Sequence, residues 1–373
     1  MTDAVALAQR LVHLNTAGGG ERAAAEVCAE VLEGSGASVE IVTMVADRAH
    51  LIASVGDTTT APLVLCGHLD TVPFGDTPWT HGPLSGDIGD GMLYGRGSVD
   101  MKGGAAALVT ALARYAARRS SGPGVLLVLT AAEETGCRGA RHLIATRQLP
   151  HGGPLLIAEP TDLRIAHGHK GVLWLVASTH GRAAHGSRPD LGVNAIMPLA
   201  RFVSELTARG LPGSHPEMGD VTVNVGTFSG GTKINLVPDS ASAEIDIRLV
   251  AGIDSRSVLE EVATIAGGDI HIQVVEDLPA VYSPADGRFA SHVSARYKAA
   301  FGTIDHRPPL SYFTDASVLM GALKAGEIIL LGPGDPDQAH TVDERCLVSQ
   351  IEAAADVYGD ILRTWADGDP RVG

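Results

Sequence analysis

Pro62-Leu-Val-Leu-Cys-Gly-His68-Leu-Asp70 begins as a short apolar run that reads as a buried β-strand and ends on an imidazole and a carboxylate. The arrangement recurs: Gly124-Val-Leu-Leu-Val-Leu-Thr130 precedes Glu133 and Glu134, Pro154-Leu-Leu-Ile-Ala158 precedes Glu159, and Glu327-Ile-Ile-Leu-Leu-Gly332 precedes the loop that reaches His340. Asp100 follows a shorter strand-like piece, Met92-Leu-Tyr-Gly95. In open α/β sheets ligands bind in the crevice beyond the carboxyl ends of parallel strands, so side chains placed this way can converge although they are distant in sequence. The pattern predicts a two-metal hydrolase with His68, Asp100, Glu134, Glu159 and His340 as ligands.

A chain of 373 residues exceeds what one hydrophobic core usually serves, so two domains are expected. Hydrophobic residues at 45% and charged residues at 19% are ordinary for a globular protein. A formal net charge of −15 with no basic run disfavours nucleic acid as a partner, and Arg118-Arg119 reads as the solvated end of a helix. No stretch approaches the roughly 18 apolar residues of a membrane helix and no signal-like segment opens the chain, so no membrane partner and a cytoplasmic location are expected. Cys28, Cys66, Cys137 and Cys346 lack C-x-x-C spacing and read as buried or incidental thiols.

Helices are expected after Thr2 as a cap, over 21–33, and over 103–119, alternating with strands such as 38–44, which is α/β architecture. From about Lys170 to Tyr282 the character changes. Strands at Val172–Ala177 and Ala241–Val250 are joined by helices near 194–208 and 255–266. In the second strand Ala243, Ile245, Ile247 and Leu249 alternate with Glu244, Asp246 and Arg248, as a sheet covered on one face requires. The expected fold is therefore a mixed, mostly parallel sheet flanked by helices over 1–169 and 283–373, with an α+β domain inserted at 170–282.

His68 and Asp70 form a His-x-Asp pair, in which a carboxylate can fix the tautomer of a ligating imidazole. Of the adjacent acids Glu133 and Glu134, one can ligate while the other reaches water, although neighbouring acids more often mark a solvated helix start. Five acids in one crevice, Asp70, Asp100, Glu133, Glu134 and Glu159, would raise each other's pKa values unless cations neutralise them. The His/Asp/Glu set without Cys suits two Zn²⁺ ions, with Co²⁺ able to substitute. Two metals roughly 3.5 to 4 Å apart can share a water, lower its pKa and polarise a carbonyl. Amide hydrolysis with Glu133 as general acid/base follows. His81, His151, His215 and His271 read as solvated or structural, as do His167 and His169 at the junction of the inserted segment.

Five strings carry a resemblance: Cys66-Gly-His-Leu-Asp-Thr-Val-Pro73, Leu93-Tyr-Gly-Arg-Gly-Ser-Val-Asp-Met-Lys-Gly103, Ala132-Glu-Glu-Thr-Gly136, Ala158-Glu-Pro-Thr161 and Gly332-Pro-Gly-Asp-Pro-Asp-Gln-Ala-His-Thr-Val-Asp-Glu344. Their order resembles the zinc metallopeptidase superfamily of acetylornithine deacetylase, succinyl-diaminopimelate desuccinylase, aminoacylase and glutamate carboxypeptidase. The resemblance implies His68 and Glu159 on one metal, Glu134 and His340 on the other, Asp100 bridging, and a ferredoxin-like lid and dimerisation domain as the insert. Gly181-Arg-Ala-Ala-His185 and Gly230-Gly-Thr-Lys-Ile-Asn235 match it too. They imply that His185 stabilises an oxyanion across a homodimer and that Asn235 and Arg248 contact substrate, to which Thr314 and Gly334 are added.

Gly168-His-Lys-Gly171 replaces the Arg-Arg-Gly-Ser segment common in desuccinylases and, with Tyr312-Phe-Thr-Asp315, resembles acetylornithine deacetylases. The expected substrate is a small-molecule N-acetyl amino acid such as N-acetylornithine. Desuccinylase, aminoacylase, dipeptidase or carboxypeptidase, and a ligand-binding pseudoenzyme are the alternatives.

Overall fold

The computed structural model describes residues 3–59, 61–118 and 124–366. Thr2 and Arg119 lie outside them. The chain divides into two compact units: Met1–Gly168, Tyr282–Pro308 and Thr314–Gly373 form the first, and His169–Val281 with Pro309–Phe313 form the second.

The first unit is built on a six-stranded sheet in the order Ser38–Val45, Arg48–Val55, Val125–Thr130, Leu63–His68, Leu155–Ile157, Ile328–Leu330. The last four strands in that order are parallel, and the first two add antiparallel pairings at one edge. This is the expected mixed, mostly parallel sheet. Every residue of Leu63–His68 and Val125–Thr130 is buried, which is why both segments read as unbroken apolar runs rather than alternating ones.

Helix Lys102–Ala116 packs against Val348–Ala366 and Ala4–Val12. Nearly all of its residues are buried, and small side chains at its start let it approach the sheet. A Cβ on Gly104 would stand 2.2 Å from the carbonyl oxygen of Ala158, so only glycine lets the helix start reach the end of the Leu155–Ile157 strand. That contact brings the Asp100 turn to the Glu159 turn. At the chain's beginning, Asp3 caps Ala4–Val12 by accepting from Val5 N at 2.9 Å.

The second unit holds a four-stranded antiparallel sheet in the order Thr222–Gly230, Ser240–Leu249, Gly171–His180, His271–Leu278, with helices Ile196–Arg209 and Ser255–Ala266. Along Ser240–Leu249 the residues Ala243, Ile245, Ile247 and Leu249 are buried, while Glu244 is exposed and Asp246 and Arg248 are half-buried. The alternation read from the sequence is thus a real two-faced strand. Among the described residues no helix is long and apolar enough to cross a membrane, and all four cysteines are free and buried.

Candidate metal centre

Four adjacent parallel strands of the first unit deliver side chains to one edge of the sheet. His68 is the last residue of its strand. Glu133–Glu134 and Glu159 follow the ends of Val125–Thr130 and Leu155–Ile157 within a few residues, and Ile328–Leu330 leads through the turn Pro336–Gln338 to His340. Asp100 reaches the same place from the turn before helix Lys102–Ala116.

The five expected ligands are brought together in one run of contacts. Glu159 Oε1 is 3.8 Å from His68 Nε2, and His68 Nε2 is 3.0 Å from Asp100 Oδ1. Asp100 Oδ2 is 3.2 Å from His340 Nε2, which is 3.1 Å from Glu134 Oε1. Asp100 therefore turns one carboxylate oxygen toward each histidine.

Asp70 stands beside His68 but acts through other atoms than the sequence suggested. His68 Nδ1 is 3.0 Å from the Asp70 carbonyl oxygen, while the nearest Asp70 carboxylate oxygen is 3.6 Å away. The carboxylate instead accepts the backbone N–H groups of Glu133 at 3.0 Å and Glu134 at 3.1 Å. Bonds from neutral donors to a charged acceptor are worth about 1.5 to 3 kcal/mol each, so one buried side chain fixes the turn on which both acids sit.

Burial opposes charge on His68, yet its bond to Asp100 and the carboxylates of Glu159, Asp100 and Asp70 hold its pKa well above the usual imidazole range. The bonds to Asp100 and Glu134 push His340 up to about 10. Burial, reinforced by neighbouring carboxylates and offset in part by the histidines, raises Glu133, Glu134 and Glu159. Asp100 goes the other way: burial would raise it, but hydrogen bonds from His340 and His68 pull it below the ordinary carboxylate range. The cluster demands positive charge, and its oxygen and imidazole donors fit divalent cations such as Zn²⁺.

Behind this centre, Glu133, Cys137 and Asp315 form a second buried cluster with ligand-type atoms within 4.8 Å of one another. Thr130 donates its hydroxyl to Asp315, whose pKa burial pushes up to about 6. Burial drives the Cys137 thiol far upward, so it remains a weak S–H donor 3.8 Å from Glu133 Oε1.

The remaining expected residues make other contacts. Thr314 is fully buried and accepts from Ala316 N at 3.1 Å, and Gly334 N donates to Gln350 Oε1 at 2.8 Å. In the second unit His185 and Asn235 sit on adjoining exposed loops, joined where Gly186 N donates to the Asn235 carbonyl at 2.8 Å. His185 Nδ1 accepts from Ser187 N at 3.1 Å, which leaves Nε2 carrying the proton as a donor. Arg248 is held by Asp246 at 3.0 Å. His167 faces His306 at 3.0 Å and His169 bonds the Lys170 carbonyl at 2.9 Å, both structural contacts.

Arg96 and Glu344 lie in the segments that carry Asp100 and His340, and their residue types alone point to no role. Glu344 Oε1 accepts from Val99 N at 2.9 Å and Asp100 N at 3.1 Å. Its other oxygen takes Arg96 Nη1 at 2.6 Å, and the same nitrogen reaches the Thr341 carbonyl at 3.1 Å. Their fixed offsets from Asp100 and His340 were the available signal.

The model of peptidase family M20/M25/M40 matches residues 64–364. The chain belongs to this family. It is a metal-dependent amidohydrolase of the M20 type. The chain is 30% identical over 98% of both chains to a probable succinyl-diaminopimelate desuccinylase of Staphylococcus epidermidis. It is 30% identical to acetylornithine deacetylase of Proteus mirabilis, over 90% of this chain and 87% of that one. Its fold is similar to that of YXEP from Bacillus subtilis, a dinuclear metal binding peptidase of the M20 family, with a TM-score of 0.74, 15% identity and 98% of each chain covered.

Proposed function

We propose that this M20 hydrolase cleaves the amide bond of an N-acyl amino acid at a pair of divalent cations, zinc by preference of the donor set. The observation that carries the reading is the run Glu159, His68, Asp100, His340, Glu134, in which the central carboxylate offers an oxygen to each side. His68 and Glu159 would hold one cation, Glu134 and His340 the other, and Asp100 both. Cations bound there would polarise an amide carbonyl and make water a better nucleophile.

The chain's own groups supply the rest. Glu133 takes a proton from the attacking water on its carboxylate and delivers it to the leaving nitrogen. Asp70, by holding the amides of Glu133 and Glu134, sets the spacing between base and ligand. The first unit serves as the catalytic domain and the second as a lid and dimerisation domain. His185 from a second copy of the chain donates Nε2–H to the developing oxyanion. Asn235 and Arg248 contact the substrate, whereas Thr314 and Gly334 are buried within the first unit and are not offered to it.

For the acyl group, the Gly168-His-Lys-Gly171 segment supports acetyl, with N-acetylornithine as the type substrate. An N-succinyl substrate is the second reading, favoured by the relative named as a desuccinylase that spans 98% of both chains. Metal analysis together with a hydrolysis screen over N-acetyl, N-succinyl and dipeptide substrates tests the proposal. Two bound cations with higher kcat/KM for N-acetylornithine is the expected result. A clear preference for N-succinyl-diaminopimelate overturns the acyl assignment, and no hydrolysis by the doubly loaded protein overturns the reaction.

A further inference from the structure

The turn that carries Glu133 is held from two sides, and the reaction proposed above uses only one of them. Asp70 grips the amides of Glu133 and Glu134. Two residues earlier, Ala131 N donates at 3.1 Å to Nδ1 of His50, a fully buried histidine on the strand Arg48–Val55. The ring's other nitrogen, Nε2, is 3.2 Å from Nδ1 of the half-buried His142, and the two rings stack with centroids 5.4 Å apart.

These contacts leave one arrangement of protons. A backbone N–H can only donate, so His50 Nδ1 must offer its lone pair and the proton sits on Nε2. That proton is then donated to His142 Nδ1, and His142 carries its own on Nε2.

The turn needs such a hold. Ala132, between the His50 contact and Glu133, has φ +59, and Cys137, at the turn's far end, has φ +52, a region unfavourable for any residue with a Cβ. The space is closed as well: a Cβ on Gly139 would stand 1.5 Å from the Ala131 carbonyl oxygen and 3.0 Å from His50 Cε1. Without an acceptor at Nδ1 the Ala131 amide would be buried and unpaired, and a relaxed backbone could satisfy it only by shifting the residue that leads into Glu133.

We propose that His50, kept in its Nε2–H tautomer by His142, is a positioning residue for the hydrolytic reaction: its Nδ1 lone pair fixes Ala131 and thereby the angle at which Glu133 leaves the turn. The inference rests on the reading of Glu133 as general acid/base. It assigns to a buried histidine of the strand Arg48–Val55 a role that the metal ligands do not share.

Asparagine and glutamine separate this role from mere filling of space. In His50→Asn the side-chain Oδ1 would lie where the imidazole Nδ1 lies, whereas in His50→Gln the longer side chain carries its oxygen past that point. His50→Asn should keep kcat within about threefold of the parent, and His50→Gln should lower kcat at least about tenfold, with KM and bound metal unchanged in both. Equal activity of the two variants, equal impairment of the two, or loss of metal from His50→Gln overturns the proposal. Nitrogen NMR of the unaltered enzyme gives a reading that needs no variant to fold: Nδ1 of His50 should be unprotonated, and a proton found there is equally fatal. Glu133→Gln run in parallel keeps the two readings apart. If that variant still turns over, the role of Glu133 is wrong; if it is inactive while both His50 variants work normally, only the positioning role falls.

Discussion

Arg96 and Glu344, 248 residues apart in sequence, meet as a buried ion pair at 2.6 Å. Arg96 also lies 5.0 Å from the ring centroid of Trp79. Because Glu344 takes the amides of Val99 and Asp100 while Arg96 takes the Thr341 carbonyl, the pair ties the Asp100 turn to the His340 loop. Glu344→Ala would leave a guanidinium buried without its counter-charge, which costs about 3 to 5 kcal/mol. Urea unfolding of the metal-free variant should show that loss, and metal affinity should fall with it. Parental stability and parental metal content together would show that the pair is ornamental.

Asp100→Ala should disturb both cations, since its two oxygens point to different histidines. Metal analysis of the purified variant should find well under two ions per chain. Full occupancy with full activity would remove Asp100 from the bridging position.

Glu133→Gln should lower kcat by at least about a hundredfold, the low end for general acid–base catalysis, with metal content intact. Loss of metal instead would make Glu133 a ligand.

His185→Ala should retain both cations and lose about 10² to 10³ in kcat, the usual cost of removing an oxyanion donor. If the histidine serves a second copy, mixing His185→Ala with Glu133→Gln subunits restores activity, because one site in each mixed dimer has both groups. With subunit exchange shown independently, an inactive mixture means that His185 does not act across the dimer.

His50 also makes a pH-dependent contribution to stability. Burial, then His142 and Arg48, lower its pKa from 6.5 to about 4, so it is neutral in the folded chain at pH values where the unfolded chain would already protonate it. As pH falls below about 6.5 the unfolded state binds the extra proton and stability declines, and the loss is complete by about pH 4. A shift of this size is on the order of 3 kcal/mol. Unfolding free energies measured across this window should fall less steeply for His50→Asn than for the parent, and parallel curves would contradict the neutral buried imidazole.

Much of the site was legible because burial on both faces leaves strand ends as punctuation. Leu63–His68 and Val125–Thr130 appear as apolar runs that stop at candidate ligands or just before them, and the alternation along Ser240–Leu249 announced the change of architecture in the second unit. Contacts made by backbone groups were not legible. That the Asp70 carboxylate binds two amides rather than the His68 ring depends on where the Glu133 turn passes, which no side-chain pattern records. The strand Arg48–Val55 is mixed in composition, so neither it nor the role of His50 within it stood out. Arg96 and Glu344 lie in the segments that carry Asp100 and His340, but only the folded chain pairs them.

The convergence of distant strand ends also bears on how the protein matures in the cell. A nascent chain that has emerged only as far as Leu331 already displays His68, Asp100, Glu133, Glu134 and Glu159, while His340 and the Glu344 partner of Arg96 are still to come. At that stage the acidic residues lack one imidazole, and the turn of Asp100 lacks the carboxylate that holds its amide. The cation that Glu134 and His340 would hold can therefore bind only after His340 has emerged, and ribosomes stalled before His340 should carry chains that retain at most one tightly bound cation.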